Sequence, residues 1–139
     1  MIILDTNVIS EPAKPAPDIA VVDWLDRQAK QTMYVTATTL AELWVGIELL
    51  PSGRKKNEIA RTMSDLLRIH LGPRILPFDG SAALEYASIM VEATRRGRAI
   101  SFADGQIAAI ARVHGFTVAT RNTSPFTAAG VAVVHPWGS

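Results

Sequence analysis

The chain of 139 residues contains no cysteine. That removes disulfide frameworks, thiolate-held zinc or iron–sulfur sites and cysteine nucleophiles, and it suits a reducing compartment. Charge is sparse and balanced: Asp, Glu, Lys and Arg make up 19% of the residues, 14 basic against 13 acidic, for a formal net charge of +1. A bulk polycation that coats nucleic acid is therefore excluded, although local patches are not. Aromatics are only 6%, and they are not interleaved with basic residues as a stacking platform for single strands would be. No run approaches the roughly 18 apolar residues of a membrane span. Met1 to Leu4 meets Asp5 with no basic segment ahead of it, so a soluble cytoplasmic protein with no membrane association is expected. His70, His114 and His135 are isolated in the sequence, which argues against zinc.

What is present is a 48% hydrophobic chain long enough to bury a core as one domain over residues 1–139. Short β-branched runs alternate with stretches of helical period. Strands are expected at Met1–Leu4, Met33–Val35, Ile75–Leu76, Thr117–Ala119 and Val131–Val134. Helices are expected at Asp18–Ala29, Thr38–Leu50, Arg54–His70, Asp79–Arg96 and Ala103–His114, with Thr6–Ser10 a turn or short helix. Gly97 and Gly115 stand where helix ends favour a left-handed residue. This alternation predicts an α/β fold with a parallel sheet covered on both faces. In such sheets ligands bind beyond the carboxyl ends of the strands.

Four side chains fall in that zone. Asp5 follows the first strand, Glu42 and Asp104 lie near the starts of helices, and Asn122 comes three residues after the strand Thr117–Ala119. An oxygen-rich set of this kind suits Mg²⁺ or Mn²⁺. Each residue also has a structural alternative. Thr39–Glu42 and Ser101–Asp104 resemble capping boxes, Asp5 can cap Thr6–Ser10, and Asn122 is a common turn residue. Their shared edge favours a site, because a metal needs its ligands together whereas caps occur anywhere. A divalent cation relieves the mutual repulsion of grouped carboxylates and serves phosphodiester hydrolysis. Other phosphate chemistry on similar sheets is excluded by spacing. A dehalogenase-type phosphatase needs a second Asp where Asn7 stands, and neither a receiver-domain arrangement nor a P-loop is present.

Basic residues cluster at Arg54-Lys55-Lys56 and at Arg95-Arg96-Gly97-Arg98. The first cluster opens a helix, where the helix dipole does not favour cations, so it is the better candidate for phosphate contact; Arg95 and Arg96 end one, where the dipole does. Arg121 adjoins Asn122. Trp24, Trp44 and Trp137 are read as core or interface.

Ile3-Leu4-Asp5-Thr6-Asn7-Val8, Ala41-Glu42-Leu43, Ala103-Asp104 followed by Ile107-Ala108-Ala109, and Val118-Ala119-Thr120-Arg121-Asn122 together resemble the PIN-domain ribonucleases. Within them the chain is similar to the VapC toxins of type II toxin–antitoxin modules. Ile3–Pro12 and Val134–Trp137 point to the FitB branch. The resemblance implies a PIN-like domain with a five-stranded parallel sheet flanked by helices on both faces. It further implies a homodimer, Mg²⁺- or Mn²⁺-dependent endonucleolytic cleavage of RNA, an antitoxin partner that blocks the site, and operator DNA bound only through that antitoxin. Asp5, Glu42 and Asp104 would be metal ligands and Asn122 an assisting residue. Thr6, Thr120, Arg121, Arg54, Lys55 and Lys56 would be candidates for substrate contact. Asn122 departs from a pattern in which many members carry Asp, which keeps open a second reading: a catalytically weak binding module acting with an antitoxin on DNA or RNA.

Overall fold

A computed structural model describes residues 1–68 and 74–138. Five strands form one parallel sheet: β1 (Ile2–Leu4), β2 (Met33–Thr36), β3 (Ile75–Leu76), β4 (Thr117–Ala119) and β5 (Val133–Val134), in the order β3-β2-β1-β4-β5. Seven α-helices are described: α1 (Thr6–Ser10), α2 (Ile19–Arg27), α3 (Ala37–Glu48), α4 (Arg54–Leu66), α5 (Gly80–Arg95), α6 (Phe102–His114) and α7 (Ser124–Ala128).

The two faces of the sheet bury separate clusters. Successive residues of a strand point to opposite faces, so Ile3 and Val118 join α5, α6 and α7 on one side. Leu4 and Ala119 join α1 to α4 on the other. Burial on both faces explains why these strands read as unbroken apolar runs rather than alternating ones. All three tryptophans are partly buried against the second cluster. Gly97 and Gly115 adopt the expected left-handed backbone, with φ of 66° and 69°.

Several boundaries differ from the sequence expectation. Asp18 caps α2 by accepting from the Ala20 N–H, and that helix ends at Arg27. Thr36, not a residue further on, caps α3, accepting from the Thr39 N–H at 3.0 Å. The last strand starts at Val133, because the left-handed Gly130 (φ 76°) turns the chain and sends Val131 into the core instead. Helix α7 was not expected; Pro125 stands in its first turn, where proline is well tolerated. The expected end of α4 at His70 lies outside the described residues.

Candidate active site

The strand order reverses direction at β1, whose neighbours are β2 and β4. Crossovers from β1 and β4 therefore leave toward different sides, and a crevice opens beyond their carboxyl ends. The register pairs Leu4 with Ala119, and the Asp5 N–H donates to the Ala119 carbonyl at 2.9 Å. Asp5 and Thr120 are thereby set side by side just past the strands.

Asp5 is 5% exposed and both its oxygens are engaged. Oδ1 accepts from the Thr6 N–H at 2.8 Å, which makes Asp5 the cap of α1, and Oδ2 accepts from the Thr120 hydroxyl at 2.7 Å. Capping and a site role thus coexist in one carboxylate. Burial pushes the Asp5 carboxyl above its ordinary value. The nearby charges of Asp104 and Glu42 push the same way, while the hydrogen bonds from Thr120 and Thr6 oppose them.

Thr6 also joins Asp5 to Glu42, since its hydroxyl donates to Glu42 Oε1 at 2.9 Å. The capping reading of Glu42 does not hold. With the cap at Thr36, Glu42 falls in the second turn of α3, beyond the orphan N–H groups of the first. Asp104 occupies the first turn of α6, where its own N–H donates to the Ser101 hydroxyl at 3.1 Å, which is the Ser101 half of the expected box. Burial raises the Asp104 carboxyl as well, against the Ser101 hydrogen bond. A Thr38 hydroxyl bond to Gln106 Oε1 at 2.7 Å ties α3 to α6 and fixes the helix carrying Glu42 against the helix carrying Asp104.

Asn122 is exposed, and its N–H donates to the Thr120 hydroxyl at 3.1 Å. With Asp104 it lines a cavity of about 370 Å³. Arg121 is also exposed; its N–H donates to Asn7 Oδ1 at 3.2 Å, and its guanidinium lies 5.2 Å from the Trp137 ring centroid. Asp5, Thr6, Glu42, Asp104, Thr120, Arg121 and Asn122 thus gather at one edge. Arg54 and Lys56 have other neighbours. Arg54 lines a separate cavity on α4 with Asn57, Glu58 and Arg61. Lys56 donates to the Glu48 carbonyl at 3.0 Å and pairs with its carboxylate at 3.7 Å. An amine at the end of α3 complements that helix's dipole, which explains a cation at the start of α4.

Three contributors escaped the sequence reading. Asn7 holds the backbone beyond β4. Gly105 lets α6 approach α5, since a Cβ there would lie 2.9 Å from both Met90 Sδ and Tyr86 Cε2. Glu11 is 2% exposed, paired with Lys14 at 3.0 Å and accepting from the Asp18 N–H at 3.3 Å. Only the close spacing of Glu11 and Lys14 hinted at this.

Among the described residues, no three acidic or histidine side chains stand close enough to enclose a metal ion unaided. The donor set nevertheless fits a hard divalent cation. Mg²⁺ retains several waters and takes only one or two carboxylates directly, and the repulsion felt by Asp5 from Asp104 and Glu42 is what a cation neutralises.

A parallel five-stranded sheet with a carboxylate site at its switch point defines a class, and the chain belongs to the PIN domain family, whose profile matches residues 2–131. It is 47% identical over 137 residues to the VapC ribonuclease Y4jK of Sinorhizobium fredii, covering 99% of this chain and 98% of that protein. It is 48% identical over 137 residues to toxin FitB of Neisseria gonorrhoeae, covering 99% of each. The solved structure of FitAB bound to an IR36 DNA fragment matches with a TM-score of 0.93 at 47% identity, over 100% of this chain and 97% of that one. The expected resemblance to VapC toxins and FitB is borne out.

Proposed function

We propose that the chain is the toxin of a type II toxin–antitoxin module, a cytoplasmic endoribonuclease that hydrolyses RNA phosphodiester bonds with Mg²⁺ or Mn²⁺. The observation that carries this reading is the meeting of Asp5, Glu42 and Asp104 beyond β1 and β4, with Asp5 and Glu42 fixed through Thr6. Asp5, Glu42 and Asp104 would hold the cation, in part through its retained waters, and the Asn122 amide oxygen would assist. When bound, the cation supplies Lewis-acid charge to the phosphodiester and acidifies water.

The chain's own residues do the positioning. Thr120 and the Thr6 N–H hold the Asp5 carboxylate in one orientation and favour its charged form against burial. The Thr6 hydroxyl orients the Glu42 carboxylate in turn. Arg121, steadied against Trp137, presents a guanidinium beside Asn122 to a substrate phosphate. Exposed Leu84 and Val91 on α5, with Phe102, support a homodimer as part of the proposal. An antitoxin partner completes it, with operator DNA contacted only through that partner, as befits a chain similar to the toxin of the FitAB pair.

The test is cleavage of single-stranded RNA oligonucleotides by the purified chain in Mn²⁺, compared with Asp104→Asn. Loss of cleavage in a variant that keeps its melting temperature supports the assignment; equal cleavage overturns it. Asn122→Asp is expected to raise the rate. An inert wild-type chain that still binds RNA would favour the binding-module reading instead.

A further inference from the structure

A second cavity adjoins the one that contains Asp104 and Asn122. It measures about 460 Å³ and lies between the end of α5, residues 98–100, α6 and the end of α7. Arg98, Ile100 and Ala128 line both cavities, so the second space adjoins the acidic edge across these three residues. Its volume falls within the roughly 300–1,000 Å³ of pockets that hold small ligands.

The lining is of two kinds. Ile89, Ala93, Ile100 and Ala129 supply apolar wall, and three arginines supply charge. Two of these are committed: Arg96 donates to Glu92 Oε1 at 2.8 Å, and Arg112 pairs with Glu85 at 3.0 Å. Their guanidinium planes are thereby held in place. Arg98, at the junction of the two cavities, makes no ion pair among the described residues. A phosphate arriving beside Asp104 is repelled by carboxylates, and Arg98, which lines the same cavity as Asp104 and Asn122, offers a positive charge to offset that repulsion. Unstacked bases stack on guanidinium planes and pack between apolar side chains, and the larger cavity is lined by arginines and aliphatic residues.

We propose that these adjoining cavities form a nucleotide subsite of the RNA strand: Arg98 binds the phosphate adjoining the cleaved bond, and the 460 Å³ cavity takes the neighbouring base. The proposal rests on the ribonuclease reading above and names where the strand runs within it.

The experiment uses Asp5→Asn, which should bind RNA uncut, and a single-stranded RNA whose cut position has been mapped with the wild-type chain. The RNA carries 2-aminopurine beside that position. Adding Arg98→Ala should weaken binding about fivefold to tenfold and reduce the slope of log Kd against log salt by about 0.7, the loss of one phosphate contact on a single strand. Arg98→Lys should recover most of the affinity. Ala93→Leu, which fills only the larger cavity, should abolish the 2-aminopurine fluorescence change while leaving the salt slope intact. Melting curves of each variant separate these effects from misfolding. Unchanged Kd and slope in Arg98→Ala, or an unchanged fluorescence response in Ala93→Leu, would overturn the subsite and leave the ribonuclease reading standing. Absence of RNA binding by Asp5→Asn and of cleavage by the wild type would overturn both.

Discussion

The Thr120 hydroxyl donates a 2.7 Å hydrogen bond to Oδ2 of Asp5, linking the two strand ends between which the site opens. Thr120 is fully buried and Asp5 nearly so. The contact therefore sits where a hydrogen bond to a charged group matters most, because burial and the neighbouring carboxylates all oppose the charge on Asp5.

Removing that hydroxyl should be felt in both stability and chemistry. Thr120→Val leaves Asp5 Oδ2 and the Asn122 N–H without their partner, at a cost of about 1–3 kcal/mol. It also raises the Asp5 carboxyl further, so the acid limb of the pH–rate profile for RNA cleavage should move to higher pH. Thr120→Ser should restore both. Urea unfolding with a pH–rate series is the check.

Two buried carboxylates should drive stability in opposite directions with pH. Burial works to raise Glu11, but the Lys14 hydrogen bond and charge, the Asp18 N–H and the Trp137 side chain outweigh it, leaving the group below its ordinary value of 4.5. Its contribution is fully present above the unfolded value and is lost as pH falls through the folded one. Glu11→Gln should therefore lower the melting temperature at neutral pH, with the gap to wild type closing in acid. Asp5 is raised above 3.8, so its ionised form costs stability at neutral pH and the cost fades as pH falls. Asp5→Asn should raise the neutral-pH melting temperature in chelator. Melting curves from about pH 3 to 8 read both signs.

Gly105 follows Asp104 directly, and its missing Cβ admits Met90 and Tyr86. Gly105→Ala should destabilise by about 1–3 kcal/mol, the usual range for overpacking, despite alanine's better helix propensity. Because Tyr86 is stacked edge-on between Phe78 and Phe102, α6 rather than the ring should yield. Asp104 should move with it, and RNA cleavage should fall more than stability alone explains.

How much of this was legible in the sequence depended on whether the cause was local. Apolar runs in β1, β2 and β4 and the left-handed glycines gave the alternation and hence the parallel sheet. Asp5 and Asp104 were readable because one directly follows a strand and the other lies in the first turn after a helix cap. For Glu42 the sequence left capping open, because only the observed cap at Thr36 puts it in the second turn, and its bond from Thr6 is a tertiary contact that no spacing announces. Lys56 looked available for phosphate because its true partner, the end of α3, lies across a turn. Glu11, Asn7, Gly105 and the Arg98 cavities depend on which elements meet in space, and no spacing along the chain announces such meetings.

The most direct test of the central claim is metal-dependent cleavage of one defined RNA oligonucleotide. The account predicts no product from the wild-type chain in excess chelator, restoration by Mg²⁺ or Mn²⁺, and no restoration in Asp5→Asn at matched folding. Undiminished cleavage in chelator, or full activity of Asp5→Asn with metal restored, would contradict it.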